Sequence, residues 1–382
     1  MKAWFVTSPS ALESNIPGGV QLCSQEFLSI VRAGFPETDV IRIGHSRVWS
    51  DRLHKRFGTA PYRLFSPREF QQMAQNQIQR HGRPEVVFLN MCETTRLAKT
   101  IKMIDPAIRV VLLSHGTQTG DDLYEASGKG GIRTHGWRSW WAPWKLGLDL
   151  CLESTYRRNL IDCVGAMSEE ECVLERWLGA SQTFFLSRVV KPSPLEPYPV
   201  RGRVGYVGTL DHTPNIVGLE QTLRLLEKRA ESSLEVRVVG GPGTKGKQLQ
   251  EKFPMQVRYL GPLGTEALAA EAATWSVFIN PIYWLSKGAS MKLGQALAWK
   301  VPFVSTRSGA RGYSIPGLGD WITDDTPEAL VNRVFQMVQA GPSERNRFES
   351  AWEQSHPQWP TIEKIGHALK AAVQKNVKAT RH

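Results

Sequence analysis

Two runs constrain this chain most: VVFLN, Val86–Asn90, and VVLLS, Val110–Ser114. Side chains alternate between the two faces of a strand, so a strand apolar at nearly every position has both faces covered. Such strands belong to parallel sheets, whose neighbours need long crossover connections. The sequence supplies these connections. Strands are expected at Ala3–Thr7, Val40–Ile43, Tyr62–Phe65, Val86–Asn90, Arg109–Ser114 and Cys163–Met167, with helical patterns between them such as Val20–Ala33, Phe70–Arg80 and Glu169–Leu178. Alternating strand and helix with right-handed crossovers predicts a doubly wound α/β fold.

The rhythm breaks at KPSPLEPYPVRG, Lys191–Gly202, with four prolines between Pro192 and Pro199. Proline fixes φ and donates no backbone hydrogen bond, so this stretch reads as an extended connector. Beyond it the alternation restarts, with strands expected at 203–208, 235–240, 257–261, 276–280 and 302–306. The expected organisation is an N-terminal Rossmann-like domain over 1–190, a proline-rich linker over 191–202, a second Rossmann-like domain over 203–355, and a basic helix with a tail over 356–382. Two domains fit a length of 382 residues.

The formal charge of +11 favours anionic partners such as nucleic acid, anionic lipid or phosphorylated substrates. Basic residues are scattered, with no nucleic-acid recognition motif, so nucleic acid is not an expected partner. The five cysteines (Cys23, Cys92, Cys151, Cys163 and Cys172) form no CxxC pair and are expected as reduced thiols. The start MKAWFVTSPSALES has one lysine and a five-residue apolar run, which is not the pattern of a secretory signal. No run of eighteen apolar residues appears, so no bilayer span is expected. A cytoplasmic protein is the expectation.

Ligands of open α/β sheets bind outside the carboxyl ends of the strands, so the loops after strands are the candidates. Gly208 and Thr209 end the first strand of the second half, ahead of Pro214 at a helix start, and offer close backbone approach with a hydroxyl. A diphosphate site and a plain strand–turn–helix connection both fit. Gly240, Gly241 and Gly243, with Lys245 and Lys247, suit a phosphate or a surface turn equally. The backbone at Leu260, Gly261 and Leu263 is placed to meet the edge of a flat base. In SKGASMKLGQALAWK, the helix opening at Ser290 makes an anion site from its free N–H groups and dipole, and Lys292 in its first turn adds a positive charge. A solvated lysine on a surface helix is the other reading of Lys292.

In this order the segments GYVGTLDHTPNIVGLE, VRVVGG, VRYLGPL and ASMKLGQALAWKVPFVSTRSGARGY resemble the donor half of GT-B glycosyltransferases, and glycosyltransferase family 4 most of all. GGV at Gly18–Val20 resembles the glycine loop after the family's first strand. LLSHG at Leu112–Gly116 resembles its strand ending in histidine, and DCVGAMSEEE at Asp162–Glu171 its strand ending in serine. The resemblance implies two Rossmann-like domains facing across a cleft, with the C-terminal helix returning to the N-terminal domain. It implies sugar transfer from a nucleoside-diphosphate sugar with retention at the anomeric carbon; with no DxD pair at an expected strand end (Asp121–Asp122 and Asp324–Asp325 are adjacent pairs), no metal and no cofactor are expected. On the donor side the resemblance assigns Gly208 and Thr209 to the phosphate-side turn and Lys292 to the helix; Gly240 and Ser290 join them as donor-binding candidates from their own chemistry, and His115 and Lys292 are the catalytic candidates. Leu260, Gly261 and Leu263 would hold the base, and Gln295 the ribose. His115 would lie near the donor sugar; Gly18 and Gly19 lie on the acceptor side. A lone histidine at a strand end is also a common structural element.

The departures are specific. Family members carry two glutamates eight apart where this chain has Lys287 and Gln295, a glycine where it has Lys300, and an arginine near its Leu210–Asp211. A glutamine amide still bonds a diol. Family members use front-face attack by the acceptor hydroxyl, with the leaving phosphate taking the proton. The missing glutamates motivate a different class of reading, a catalytically silent GT-B protein acting as a scaffold. One segment stands apart: Trp137, Trp140, Trp141 and Trp144 fall within eight residues beside Arg133, Arg138 and Lys145. Rings with basic neighbours suit an anionic membrane surface on the inner face, sugar stacking, or a packed helix that Pro143 would start or kink. The acceptor implied is a glycan or a lipid-linked molecule.

Overall fold

The computed structural model describes residues 1–13, 19–49, 64–126, 137–229, 234–284 and 288–379. The chain forms two compact units. One takes in Met1–Ala126, Arg133–Ser187 and Thr361–His382, and the other Arg188–Pro360.

Among the described residues, the first unit holds six parallel strands: β1 (Ala3–Thr7), β2 (Thr38–Arg42), β3 (Val86–Asn90), β4 (Arg109–Leu113), β5 (Cys163–Ala166) and β6 (Thr183–Phe185), in the order β2-β1-β3-β4-β5-β6. Strands β1 and β3 are buried at every position, as continuous apolar runs require. The expected strand Tyr62–Phe65 lies partly outside the described residues. Its last two residues are a bend, with Phe65 buried in the core. β6 is a three-residue edge strand with no periodicity to announce it.

The second unit repeats the architecture with β7 (Arg203–Val207), β8 (Glu235–Val239), β9 (Val257–Gly261), β10 (Val277–Asn280), β11 (Phe303–Thr306) and β12 (Ile322–Thr323), in the order β12-β11-β10-β7-β8-β9. This is the doubly wound order, with its reversal between β7 and β10. The proline-rich stretch is laid along this unit: the N–H groups of Ser193, Leu195, Tyr198 and Val200 donate to Ala298, Trp299, Ala273 and Thr274 carbonyls. Lys300, where glycine is usual, takes the left-handed conformation that favours glycine, at φ +56°. Its ammonium bonds Glu353 at 2.6 Å.

The Ile362–Ala379 helix packs on the Gly19–Gly34 helix of the first unit. Two glycines allow the approach: a Cβ at Gly34 would lie 2.4 Å from the Gly366 carbonyl oxygen, and one at Gly366 2.6 Å from that of Ile30.

The tryptophan-rich segment forms one helix, Trp137–Asn159, that runs through Pro143 instead of starting at it. Its polarity is inverted. Asp149, Glu153 and Arg157, four residues apart, are buried, whereas Trp144 is 70% and Leu148 45% exposed. Arg157 grips Glu175 in a two-pronged ion pair, Nε to Oε2 at 2.8 Å and Nη2 to Oε1 at 3.1 Å. Glu153 accepts the Gln118 and Thr119 N–H groups at 2.9 and 3.2 Å, capping the Gln118–Ala126 helix. Lys145 bonds Asp122 at 2.5 Å. Burial, and then the neighbouring Asp122, push Asp149 up to about 7.

The glycine crossing yields a prediction in which two effects oppose. Gly366→Ala adds helix propensity of about 1 kcal/mol, but overpacking against backbone costs about 1–3 kcal/mol. A lowered melting temperature is expected in a thermal scan; a raised one would show that the two helices yield easily.

Candidate donor site at the sheet reversal

Where strand order reverses, the loops after β7 and β10 leave in opposite directions and open a crevice at the carboxyl end of the sheet. The sequence stocks both loops with small and polar residues. After β7 come Gly208 and Thr209, then the Thr213–Lys228 helix with Pro214 at its start. After β10 comes Ser290, which begins the Met291–Ala298 helix.

Lys292 spans the reversal. From the helix after β10, its Nζ donates to Asn215 Oδ1 at 2.6 Å in the helix after β7. It also lies over the Tyr206 ring, 5.0 Å from the centroid. A Cβ on Gly208 would sit 3.1 Å from that ammonium and 2.9 Å from Tyr206 Oη. A side chain here would crowd both groups, so the glycine keeps the charge open to the turn. Burial lowers the Lys292 pKa from 10.5 to about 7, with the nearby Arg311 charge the second cause.

The strand ends are stitched together by backbone. Gly208 N–H donates to Val239 at 2.9 Å, Leu210 N–H to Gly241 at 2.6 Å, and Gly240 N–H to Gly261 at 3.0 Å. Gly240, at φ +139°, has no room for a side chain, since a Cβ would lie 2.0 Å from the Gly208 carbonyl. The Tyr259 hydroxyl donates to the Gly240 carbonyl at 2.8 Å. Gly241, Gly243 and Gly246 have the G-x-G-x-x-G spacing, yet Gly246 serves packing: a Cβ there would be 2.1 Å from the Tyr259 ring.

Ser290 makes no side-chain cap. Its hydroxyl donates to Asn280 Oδ1 at 3.2 Å, and its carbonyl accepts from Tyr313 Oη at 2.7 Å. Buried Asn280 in turn donates to Ser305 Oγ and the Gly309 carbonyl, tying the helix start to β10 and β11.

The structure thus brings together Gly208, Gly240, Ser290 and Lys292, with Thr209 exposed on the same turn. Leu260 at the end of β9 and Leu263 just beyond it pack against the core, on either side of Gly261 at φ +75°. Gln295 lies on the exposed side of its helix. Lys287 and Gly18 lie outside the described residues. In the first unit, Gly19 opens a helix, and His115 Nε2 is 2.9 Å from Asn90 Oδ1 with its ring edge-on to Phe27. Buried Asn90 also donates to Thr7 Oγ1 and Ser24 Oγ, both at 2.9 Å, so its amide oxygen faces His115 as acceptor. Four of the cysteines are buried and Cys151 is exposed, all as free thiols.

Sequence reasoning missed Asn215, Tyr206, Arg311 and Asn90. The available signal was weak: an asparagine after a helix-starting proline, and another ending an apolar strand.

Residues 201–340 match the family described as "Glycosyl transferases group 1". The whole chain superposes on sucrose-phosphate synthase from Thermosynechococcus elongatus at TM-score 0.66 and 14% identity, covering 99% of each chain. It superposes on the lipopolysaccharide outer core galactosyltransferase WaaB at 0.65 and 13% identity, covering 98% of this chain and 100% of that one. For Anabaena HepE in complex with UDP and glucose the values are 0.53 and 14%, over 100% and 99%. No curated protein matches in sequence.

The fold is GT-B. The matched stretch covers every strand of the second GT-B unit, and with it the Lys292 crevice. An anion at this point binds to the protonated lysine. Since burial holds the Lys292 pKa down at about 7, any anion bound here at higher pH must draw a proton onto the amine. Affinity should fall as pH rises from about 7.5 to 9, by up to about tenfold per unit, with proton uptake on binding. Calorimetry in two buffers of different ionisation enthalpy checks this. Lys292→Met should flatten the slope.

Proposed function

We propose that this chain transfers a sugar from a nucleoside-diphosphate sugar to a hydroxyl of a glycan or lipid-linked acceptor, with retention and without a metal. The observation that carries this reading is the Lys292 ammonium held beside the Gly208 turn at the sheet reversal. The family match and the GT-B fold support glycosyl transfer. The HepE structure, in complex with UDP and glucose, supports a nucleotide sugar as donor.

In the reaction, negative charge grows on the diphosphate as the sugar–oxygen bond breaks. A cation already in place stabilises that charge without reorganisation. Lys292, the helix start at Ser290 and the backbone N–H groups after β7 supply the positive potential, which is why the reading needs no metal. Front-face attack by the acceptor hydroxyl passes its proton to the leaving phosphate. Lys292→Ala should cost about 10²–10³-fold in turnover, measured with a panel of nucleotide sugars. Nuclear magnetic resonance of the product reads the anomer, and an inverted product would overturn the retaining mechanism.

The silent-scaffold reading draws on Gln295, which stands exposed where the family's glutamate falls. Turnover with no donor in the panel would favour it.

We further propose that the protein lies on the cytoplasmic face of a membrane. Among the described residues, no helix is long and apolar enough to cross one. The inverted Trp137–Asn159 helix turns charge inward and leaves Trp144 and Leu148 outward, while Trp177, 63% exposed, lies beside its last turns. The side chains of Trp137, Trp140 and Trp141 lie outside the described residues. Arg158 lines the same hollow of about 640 Å³ as Cys151 and Trp177. Apolar rings beside cations fit anionic headgroups. Flotation with vesicles should require an anionic lipid and should weaken in Trp144→Ala/Trp177→Ala. Equal binding to neutral vesicles would remove the electrostatic part.

A further inference from the structure

We propose that Asn215 is the positioning residue of the donor site: its amide, oriented by the Thr209 carbonyl, holds the Lys292 ammonium at the Gly208 turn, so that a diphosphate meets a fixed and unneutralised charge. The proposal rests on reading this turn as a diphosphate site.

Two bonds fix the amide and a third holds its backbone. Asn215 Nδ2 donates to the Thr209 carbonyl at 3.0 Å, which leaves Oδ1 as the acceptor facing Lys292 at 2.6 Å. The buried Tyr206 hydroxyl reaches the Asn215 backbone carbonyl at 3.4 Å. Asn215 itself is buried, in the first turn of the helix after β7. One side chain therefore joins the turn that approaches the phosphates to the cation that meets them. A flexible lysine stem keeps little order without such a partner, and its ordering is a cost that binding otherwise bears.

The chemistry favours an amide over a carboxylate here. A neutral oxygen orients an ammonium without cancelling its charge. A carboxylate in the same place would compete with the phosphate for it. The groups acting on Lys292 are Arg311, whose charge opposes its protonation, and the Tyr206 ring beneath it. Asn215 counters Arg311 by stabilising the protonated form.

The test reads Lys292 directly. Acetic anhydride labelling across a pH series, followed by peptide mass spectrometry, gives the midpoint at which Lys292 becomes reactive, with exposed Lys245 as internal reference. Asn215→Leu removes the acceptor at similar volume, and the midpoint should fall. Asn215→Asp is isosteric and adds a charge, and the midpoint should rise by about one unit or more. Midpoints unchanged in both variants overturn the proposal. If Asn215→Leu does not fold, Asn215→Asp alone decides it. Pyrophosphate, which carries no base, should protect Lys292 in the unaltered protein. Protection should need at least tenfold more pyrophosphate in either variant. Shifted midpoints without protection in the unaltered protein would overturn the diphosphate reading and leave Asn215 as the partner of Lys292. Protection with unmoved midpoints would do the reverse.

Discussion

Burial of the parallel strands on both faces is the constraint on which the rest depends. A strand such as VVFLN has no solvent face, so it carries no chemistry along its length. Polar groups are displaced to where the strands stop. Asn90 ends β3 and Asn280 ends β10, both fully buried and both bonded to the loops and strands around them. In each unit one asparagine at a strand end organises its surroundings, in the first by holding His115 and in the second by holding Ser290.

The donor-side crevice follows from that displacement and from the strand order. Because the order reverses between β7 and β10, two loops distant in sequence meet, and a lysine 77 residues after Asn215 becomes its hydrogen-bond partner. The glycines there have separate tasks. Gly208 leaves room for the ammonium, while Gly240 leaves room for the Gly208 carbonyl. Burial then sets the electrostatics, since an amine removed from water is held less readily in its charged form, and Arg311 adds to the effect. Such an amine gains most from an arriving anion.

The first unit shows how polarity inverts when helices must satisfy one another. The Trp137–Asn159 helix buries Asp149, Glu153 and Arg157, because Arg157 pairs with Glu175 and Glu153 caps a neighbouring helix. Removing either partner of the Arg157–Glu175 pair would leave an uncompensated buried charge. Its tryptophan and leucine are thereby left outward, the reverse of what the pattern of an ordinary amphipathic helix predicts.

Much of this was legible in the sequence. The strands β1, β3 and β9 fall on the residues that the apolar runs mark, and Gly208, Ser290 and Lys292 were singled out by the chemistry of a glycine turn and a helix start. Those features are local: alternation, backbone freedom and helix dipoles act within a few residues. The partners of Lys292 were not legible, because Asn215, Tyr206 and Arg311 are joined to it by strand order and not by spacing. The same holds for the seat of the C-terminal helix, which two glycines 332 positions apart permit. Sequence determined the buried central strands and where charge was available, but not the short edge strands β6 and β12. The tertiary structure decided which charge faces which carbonyl, because only packing brings distant strand ends within hydrogen-bond reach.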